Sequence, residues 1–250
     1  MNQLLFYQKP EPLNATRHRG LKLTTEDPDF SFAAGTNSIP LTVAEFPRAA
    51  LDFPIVFAGQ PEKAVSPVVI VGLKSNENIF VGANGAWLAS YIPAFVRRYP
   101  FVLAEQPGSK ELTVMIDVTY KGFSVERGQP IFVDNDQPSE FLKNAMKFLR
   151  EFHEQAQRTG EFVQELKNLD LLVSRQFQIA QAGKPVFTLR DFHVVDESRL
   201  GKLSDMQLIS LSRRGYLMLI YAHLLSLANM QKNYSRLVET LKMPTQAAAE

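Results

Sequence analysis

Leu112-Thr113-Val114-Met115-Ile116-Asp117-Val118 and, further on, Pro138-Ser139-Glu140-Phe141-Leu142-Lys143-Asn144-Ala145-Met146-Lys147-Phe148-Leu149-Arg150-Glu151-Phe152 decide the fold between them. In the first stretch Leu112, Val114, Ile116 and Val118 alternate with Thr113, Met115 and Asp117, the period of a strand with one apolar face. In the second the apolar set is Phe141, Leu142, Ala145, Met146, Phe148, Leu149 and Phe152. That is the 3.6-residue period of an amphipathic helix, with Pro138 in its first turn. The period changes between the two stretches, and the rest of the chain sorts to either side of the change.

Upstream the signals are those of strands. Short apolar runs stand at 55–57 and 68–73, the latter β-branched and typical of a strand buried on both faces. Segments 78–81 and 86–88 flank Gly82-Ala83-Asn84-Gly85, which predicts a hairpin because Asn-Gly tolerates positive φ. Residues 123–125 and 131–133 predict further strands. Thr42 and Glu45 form a capping-box pattern for a short helix to Ala50, with Pro47 limiting its regularity. A short helix or turn is predicted over 91–99 around Pro93. Residues 1–40 read as an irregular arm with one or two short strands.

Downstream, a second helix is predicted over 161–172, and strand character returns at 176–180 and 186–189 around Gly183. Ser204 with Gln207 makes a capping box, and Leu203 with Leu208 the matching hydrophobic staple. That helix stops near Gly215. A last helix from Tyr216 to about Leu241 is apolar on nearly every side in its first half, which predicts the centre of the core. Residues 244–250 read as a disordered tail. Strands first and helices last predict an α+β fold. The expected arrangement is a mostly antiparallel sheet from the N-terminal half, packed on C-terminal helices in a single domain over 1–243.

Composition narrows the function classes. The chain has 250 residues, 27 basic against 26 acidic, and no cysteine. Disulfides, thiolate metal sites and a cysteine nucleophile are excluded, and a reducing, cytoplasmic location is expected. Near-neutral charge gives no nucleic-acid footprint. Residues 1–12 lack the pattern of a signal peptide. The apolar run 215–230 is shorter than the roughly 20 residues of a membrane span, so a core helix is expected.

Chemistry-bearing clusters are few. Arg190-Asp191-Phe192-His193-Val194-Val195-Asp196-Glu197 places a histidine among carboxylates, a possible seed for a metal site or general base. Solvated loop charges with a cap for the next turn account for the same residues. His223, between Ala222 and Leu224 on the most apolar helix, is expected to be buried, neutral and structural. His153 ends an amphipathic helix, where a cation is mildly favoured. Arg17-His18-Arg19 suits an anion or a plain solvated surface. Arg97-Arg98 stands near Trp87, Tyr91 and Tyr99, a combination found on recognition surfaces and at core edges alike. No dinucleotide, Walker, zincin or nucleophile-elbow motif is present. The sequence nominates no catalytic residue, no cofactor and no metal site.

Three blocks carry a family resemblance. One is Asn76-Glu77-Asn78-Ile79-Phe80-Val81, then Asn84-Gly85-Ala86-Trp87, then Tyr91-Ile92-Pro93-Ala94-Phe95-Val96-Arg97-Arg98-Tyr99-Pro100-Phe101. The others are Phe53-Pro54-Ile55-Val56-Phe57-Ala58 and Ile220-Tyr221-Ala222-His223-Leu224-Leu225-Ser226-Leu227. Together they resemble the SapC family over about residues 5–235. That family is named from a bacterial surface-layer locus, and its members neighbour TonB-dependent receptors and flavin halogenase-like proteins. The resemblance implies an accessory part in handling a cell-surface or outer-membrane substrate, with no catalytic residue to carry over. The expected reading is a non-enzymatic binding protein with a protein or small-molecule partner, its recognition surface including Trp87, Tyr91, Arg97 and Arg98. One rival is a metal-dependent, oxygenase-type enzyme using His193, Asp191 or Asp196 with His18, His153 or His223. Another is a structural protein of the surface layer.

Overall fold

The computed structural model describes residues 5–60, 64–105, 112–181 and 184–242. It is α+β with antiparallel sheets. The contacts fall into two compact units, each assembled from separated segments: Met1–Ala33, Val81–Leu88 and Ala94–Gln157 in the first, Ala34–Phe80, Ala89–Pro93 and Arg158–Glu250 in the second.

The first unit is organised by the predicted strand, observed as Leu112–Asp117. It pairs antiparallel with Phe101–Glu105 on one side and with Pro10–Pro12 of the arm on the other. A second small sheet joins Lys22–Leu23 to Phe123–Ser124 and Gln129–Pro130. Leu142 and Leu149 of the long helix share a buried cluster with Phe101, Ile116, Ile131 and Leu23. Each apolar side chain taken out of water there contributes about 1.5–3 kcal/mol. The hairpin expected around Gly82–Gly85 reduces to one bridge, Val81 with Trp87. The loop pairs with the arm instead, since the Phe30 amide donates to the Gly85 carbonyl at 2.8 Å. Gly85 has φ +78, and a Cβ there would lie 2.2 Å from Asp29 Oδ1. Only glycine fits that approach.

The second unit is built on a five-stranded sheet, ordered Leu172–Gln181, Lys184–Val195, Ile55–Gln60, Ala64–Ile70, Ser38–Pro40. Both of its faces are apolar. Val56, Val68, Ile70, Phe192 and Val194 pack with Met230, while Ile55, Phe57 and Val69 are fully buried. Four buried polar side chains on the last two helices hold backbone groups of the segment before and within Ile55–Gln60 and beyond. His223 Nδ1 lies 2.8 Å from the Ile55 carbonyl, and the Ile55 amide donates to Ser226 Oγ. Asn229 Nδ2 donates to the Ala50 and Phe53 carbonyls, and Asn233 Nδ2 to that of Ile70.

Several elements differ from the expectation. The helices expected from Pro138 and over 161–172 are one helix, Glu140–Asn168. Gly160 inside it costs about 1 kcal/mol, which burial of Phe162, Val163 and Leu166 outweighs. The last helix is two, Tyr216–Ser226 and Asn229–Lys242. Short-range bonds from Leu227 and Ala228 to the Leu224 and Leu225 carbonyls tighten the chain between them. The first of these helices is not buried all round, since Met218, Tyr221 and Leu225 are exposed. Pro47 sits in the first turn of Phe46–Asp52, where a missing N–H costs nothing. Leu172–Gln181 and Lys184–Val195 form a longer hairpin than the apolar pattern showed. The tail 244–250 lies outside the described residues.

The capping box is present. The Ser204 amide donates to Gln207 Oε1 at 2.9 Å, and Ser204 Oγ accepts from the Gln207 amide. Ser204→Ala is expected to lower the unfolding free energy by about 1 kcal/mol, read from the urea midpoint, because the amide it satisfies opens to water at an exposed helix end.

Candidate functional site

The first unit contains a cavity of about 380 Å³, within the size range of small-molecule sites. One wall is the long helix, through Phe141, Ala145 and Phe148. A second is the arm, through Leu23, Phe30 and Phe32, and a third is the segment Val96 to Tyr99 with Tyr120. The arm reaches this position because Lys22–Leu23 is a strand of the small sheet. Arg97 and Arg98 arrive at the end of the short helix Ala94–Arg97, closed by the Arg98 amide on the Ala94 carbonyl at 3.0 Å.

The aromatic wall is fixed by contacts among its own rings. Phe32 stacks on Tyr99 at 4.1 Å with 25° between planes, and Tyr120 meets Tyr99 edge-on at 5.1 Å. Behind Tyr99 lies Asp117, fully buried. Asp117 accepts from the Gln8 amide at 2.6 Å, the Lys9 amide at 3.2 Å, and the Thr119 amide and hydroxyl at 3.1 and 2.6 Å. The Tyr99 hydroxyl donates to it at 3.3 Å. Burial opposes its ionisation, but the Thr119 hydroxyl and the surrounding amides outweigh that and hold the carboxyl below its ordinary value. A smaller, more polar cavity of about 180 Å³ shares Phe32, Tyr99 and Tyr120 and adds Asp29, Thr119 and Lys121.

Burial pushes the Tyr99 phenol up, with the Asp117 charge adding to it. Burial does the same at Tyr7, whose hydroxyl donates to the Phe101 carbonyl at 2.6 Å. Both phenols therefore stay neutral further above pH 7 than usual. Arg98 has its guanidinium carbon 3.9 Å from the Phe95 ring centre and 4.8 Å from that of Phe152. Desolvation lowers its pKa, with Tyr7 partly offsetting this. Arg97 is exposed and stands over the Phe148 ring at 5.1 Å.

Of the residues nominated from sequence, Arg97 and Arg98 line the cavity. Trp87 meets Phe30, a lining residue, edge-on at 5.8 Å. Tyr91 belongs to the second unit, where its hydroxyl donates to Glu45 Oε1 and its amide to Asp52. The sequence places Phe141 and Phe148 on the apolar face of a helix and gives Phe30, Phe32 and Tyr120 no role, because at strand and helix spacing a pocket ring and a core ring have the same pattern.

Most members of the other clusters have local partners, while His18 Nε2 and His193 Nδ1 are buried with no hydrogen-bond partner among the described residues. A bulge sets Arg190 and Asp191 opposite Gln176, with Asp191 at φ +62. The bulge breaks the strict alternation by which residues two apart on a strand, such as Asp191 and His193, share a face. Asp196 caps a short helix through the Arg199 amide and pairs with Arg175. Arg17 pairs with Glu11 and Arg19 with Asp136, while His18 turns inward and accepts the Asn14 amide. His153 lies 3.2 Å from Gln157. Among the described residues no three His, Asp or Glu side chains stand close enough to hold a metal ion. Nor is any described helix long and apolar enough to cross a membrane.

Compared with known families, the SapC model matches residues 13–232 of the chain. No curated protein and no solved structure matches it.

Proposed function

The chain belongs to the SapC family, and from that premise we propose that it is a cytoplasmic, non-enzymatic binding protein holding a small hydrophobic molecule in the pocket of its first unit. The observation that carries this reading is the 380 Å³ cavity walled by aromatic rings. Such a lining buries a flat ligand on several faces, and ring pairs add about 0.5–1.5 kcal/mol each beyond area. Burial pushes the pKa values of the lining phenols Tyr99 and Tyr120 up, further from pH 7, which suits recognition better than proton transfer. Holding one small molecule for a neighbouring protein fits the accessory part in cell-surface handling that the family resemblance implies.

A neutral fluorescent probe tests the pocket. N-phenyl-1-naphthylamine is expected to bind the native protein saturably and one to one. Ala145→Trp, which puts an indole into the cavity from the long helix, is expected to reduce that binding at least about tenfold while unfolding remains cooperative, since volume is filled where ligand would sit. Equal binding by the filled variant, or none by the native protein, contradicts the proposal.

A further inference from the structure

The lining of this pocket has a sign. Among the described residues its wall contains two arginines, Arg97 and Arg98, and no aspartate or glutamate. Most of the remaining lining is apolar, so water screens a charge there less than at an open surface.

Arg98 is the more telling of the two. Its Nε is buried and has no hydrogen-bond partner. No carboxylate among the described residues forms an ion pair with it. Its other neighbours are the ring faces of Phe95 and Phe152 and the side chain of Tyr7, whose hydroxyl is a polar partner for the guanidinium outside Nε and whose ring centre is 5.9 Å off. Ring faces stabilise a cation electrostatically but fill few of the five N–H donors of a guanidinium. A guanidinium drawn from water ordinarily has an oxyanion opposite it, because paired N–H···O⁻ bonds are what offset its desolvation. Among the described residues no carboxylate supplies one here.

Given the pocket proposed above, we infer that its ligand is a hydrophobic organic anion, an aromatic or aliphatic body bearing a carboxylate or similar oxyanion, which Arg98 receives. The rings take the body and the guanidinium takes the charge. A cationic ligand meets two like charges in the wall, and a neutral one leaves Arg98 Nε without an acceptor.

Two probes with one skeleton separate charge from shape. 8-Anilinonaphthalene-1-sulfonate is N-phenyl-1-naphthylamine with an added sulfonate. In the native protein the sulfonate is expected to bind about tenfold tighter or more than the neutral amine, the effect of one charge-assisted hydrogen bond. Both are expected to be displaced by the Ala145→Trp change. Arg98→Gln is expected to bring the two affinities within about twofold by loss of the sulfonate's advantage alone. Should that variant not unfold cooperatively, Arg98→Met keeps an apolar stem over Phe95 and Phe152 and carries the same expectation. Equal affinity of the two probes at the Ala145-sensitive site overturns the anion inference and leaves the pocket standing. Binding of neither probe overturns the pocket itself. A preference that survives at residue 98 and disappears in Arg97→Gln overturns the assignment to Arg98.

Discussion

His223→Ala is expected to lower the unfolding free energy by about 2–4 kcal/mol, read from urea unfolding at pH 7.5. The side chain is fully buried. Its Nδ1–H donates to the Ile55 carbonyl at 2.8 Å, and its Nε2 accepts from the Val195 amide at 3.0 Å. One neutral ring thus joins two strands of the five-stranded sheet. Alanine leaves a buried carbonyl and a buried amide without partners and opens a space beside Phe57, which meets the ring at 5.1 Å. Each unsatisfied group costs about 1–3 kcal/mol, and relaxation recovers part of it.

The same residue sets a pH dependence. Desolvation lowers its pKa from 6.5 to about 4 in the folded protein, against the raising effect of the Ile55 carbonyl. Between those values the unfolded chain binds the proton and the folded chain does not. The contribution of His223 to stability is therefore complete above pH 6.5 and is lost as the pH falls toward 4. At about 1.4 kcal/mol per unit the loss approaches roughly 3 kcal/mol. The difference in stability between native protein and His223→Ala should shrink over that interval. A constant difference from pH 7.5 to 4.5 contradicts the assignment of a neutral buried ring, and an unchanged midpoint at pH 7.5 contradicts its structural role.

His223 was legible in the sequence because an apolar helix leaves a lone imidazole little choice but a neutral, bonded core position. The strand at 112–117, the first half of the long helix and both capping patterns were legible for the same reason: local period and cap chemistry decide them. The hairpin Leu172–Gln181 with Lys184–Val195 was read only in fragments. Ser174, Arg175 and Gln176 on its edge strand are exposed, so that part of it has no apolar alternation to read. Nor did the pattern show that Met218, Tyr221 and Leu225 face solvent, because hydropathy says what a side chain prefers and not what covers it. The two SapC-like blocks at 53–58 and 220–227 meet through His223, Ser226 and Ile55. Those positions serve the fold of the second unit. Arg97 and Arg98, in the remaining block, line the pocket of the first.

Asp117 is the counterpart of His223 in the first unit, and there the period misled. On a strand that alternates apolar and polar residues it falls on the polar side, yet it is fully buried. Every neighbour it meets is a donor: the amides of Gln8, Lys9 and Thr119 and the hydroxyls of Thr119 and Tyr99. An ionised carboxylate, which only accepts, satisfies them all. Asparagine does not. With its NH2 at the Oδ2 position it opposes the Gln8 amide, and at the Oδ1 position it opposes the amides of Lys9 and Thr119. Asp117→Asn is therefore expected to cost about as much as Asp117→Ala, on the order of 3 kcal/mol, despite its near-identical shape. The carboxyl is held below its ordinary 3.8 in the folded protein. Its contribution is complete above that value and is lost as the pH falls below it. Because the Tyr99 hydroxyl rests on Asp117 and the Tyr99 ring on Phe32, loosening this knot also frees a wall of the pocket. Asp117→Asn should weaken binding of N-phenyl-1-naphthylamine even at temperatures where the variant remains folded. A variant as stable as the native protein contradicts the donor argument, and unchanged probe binding by a destabilised but folded variant shows that the pocket wall stands without it.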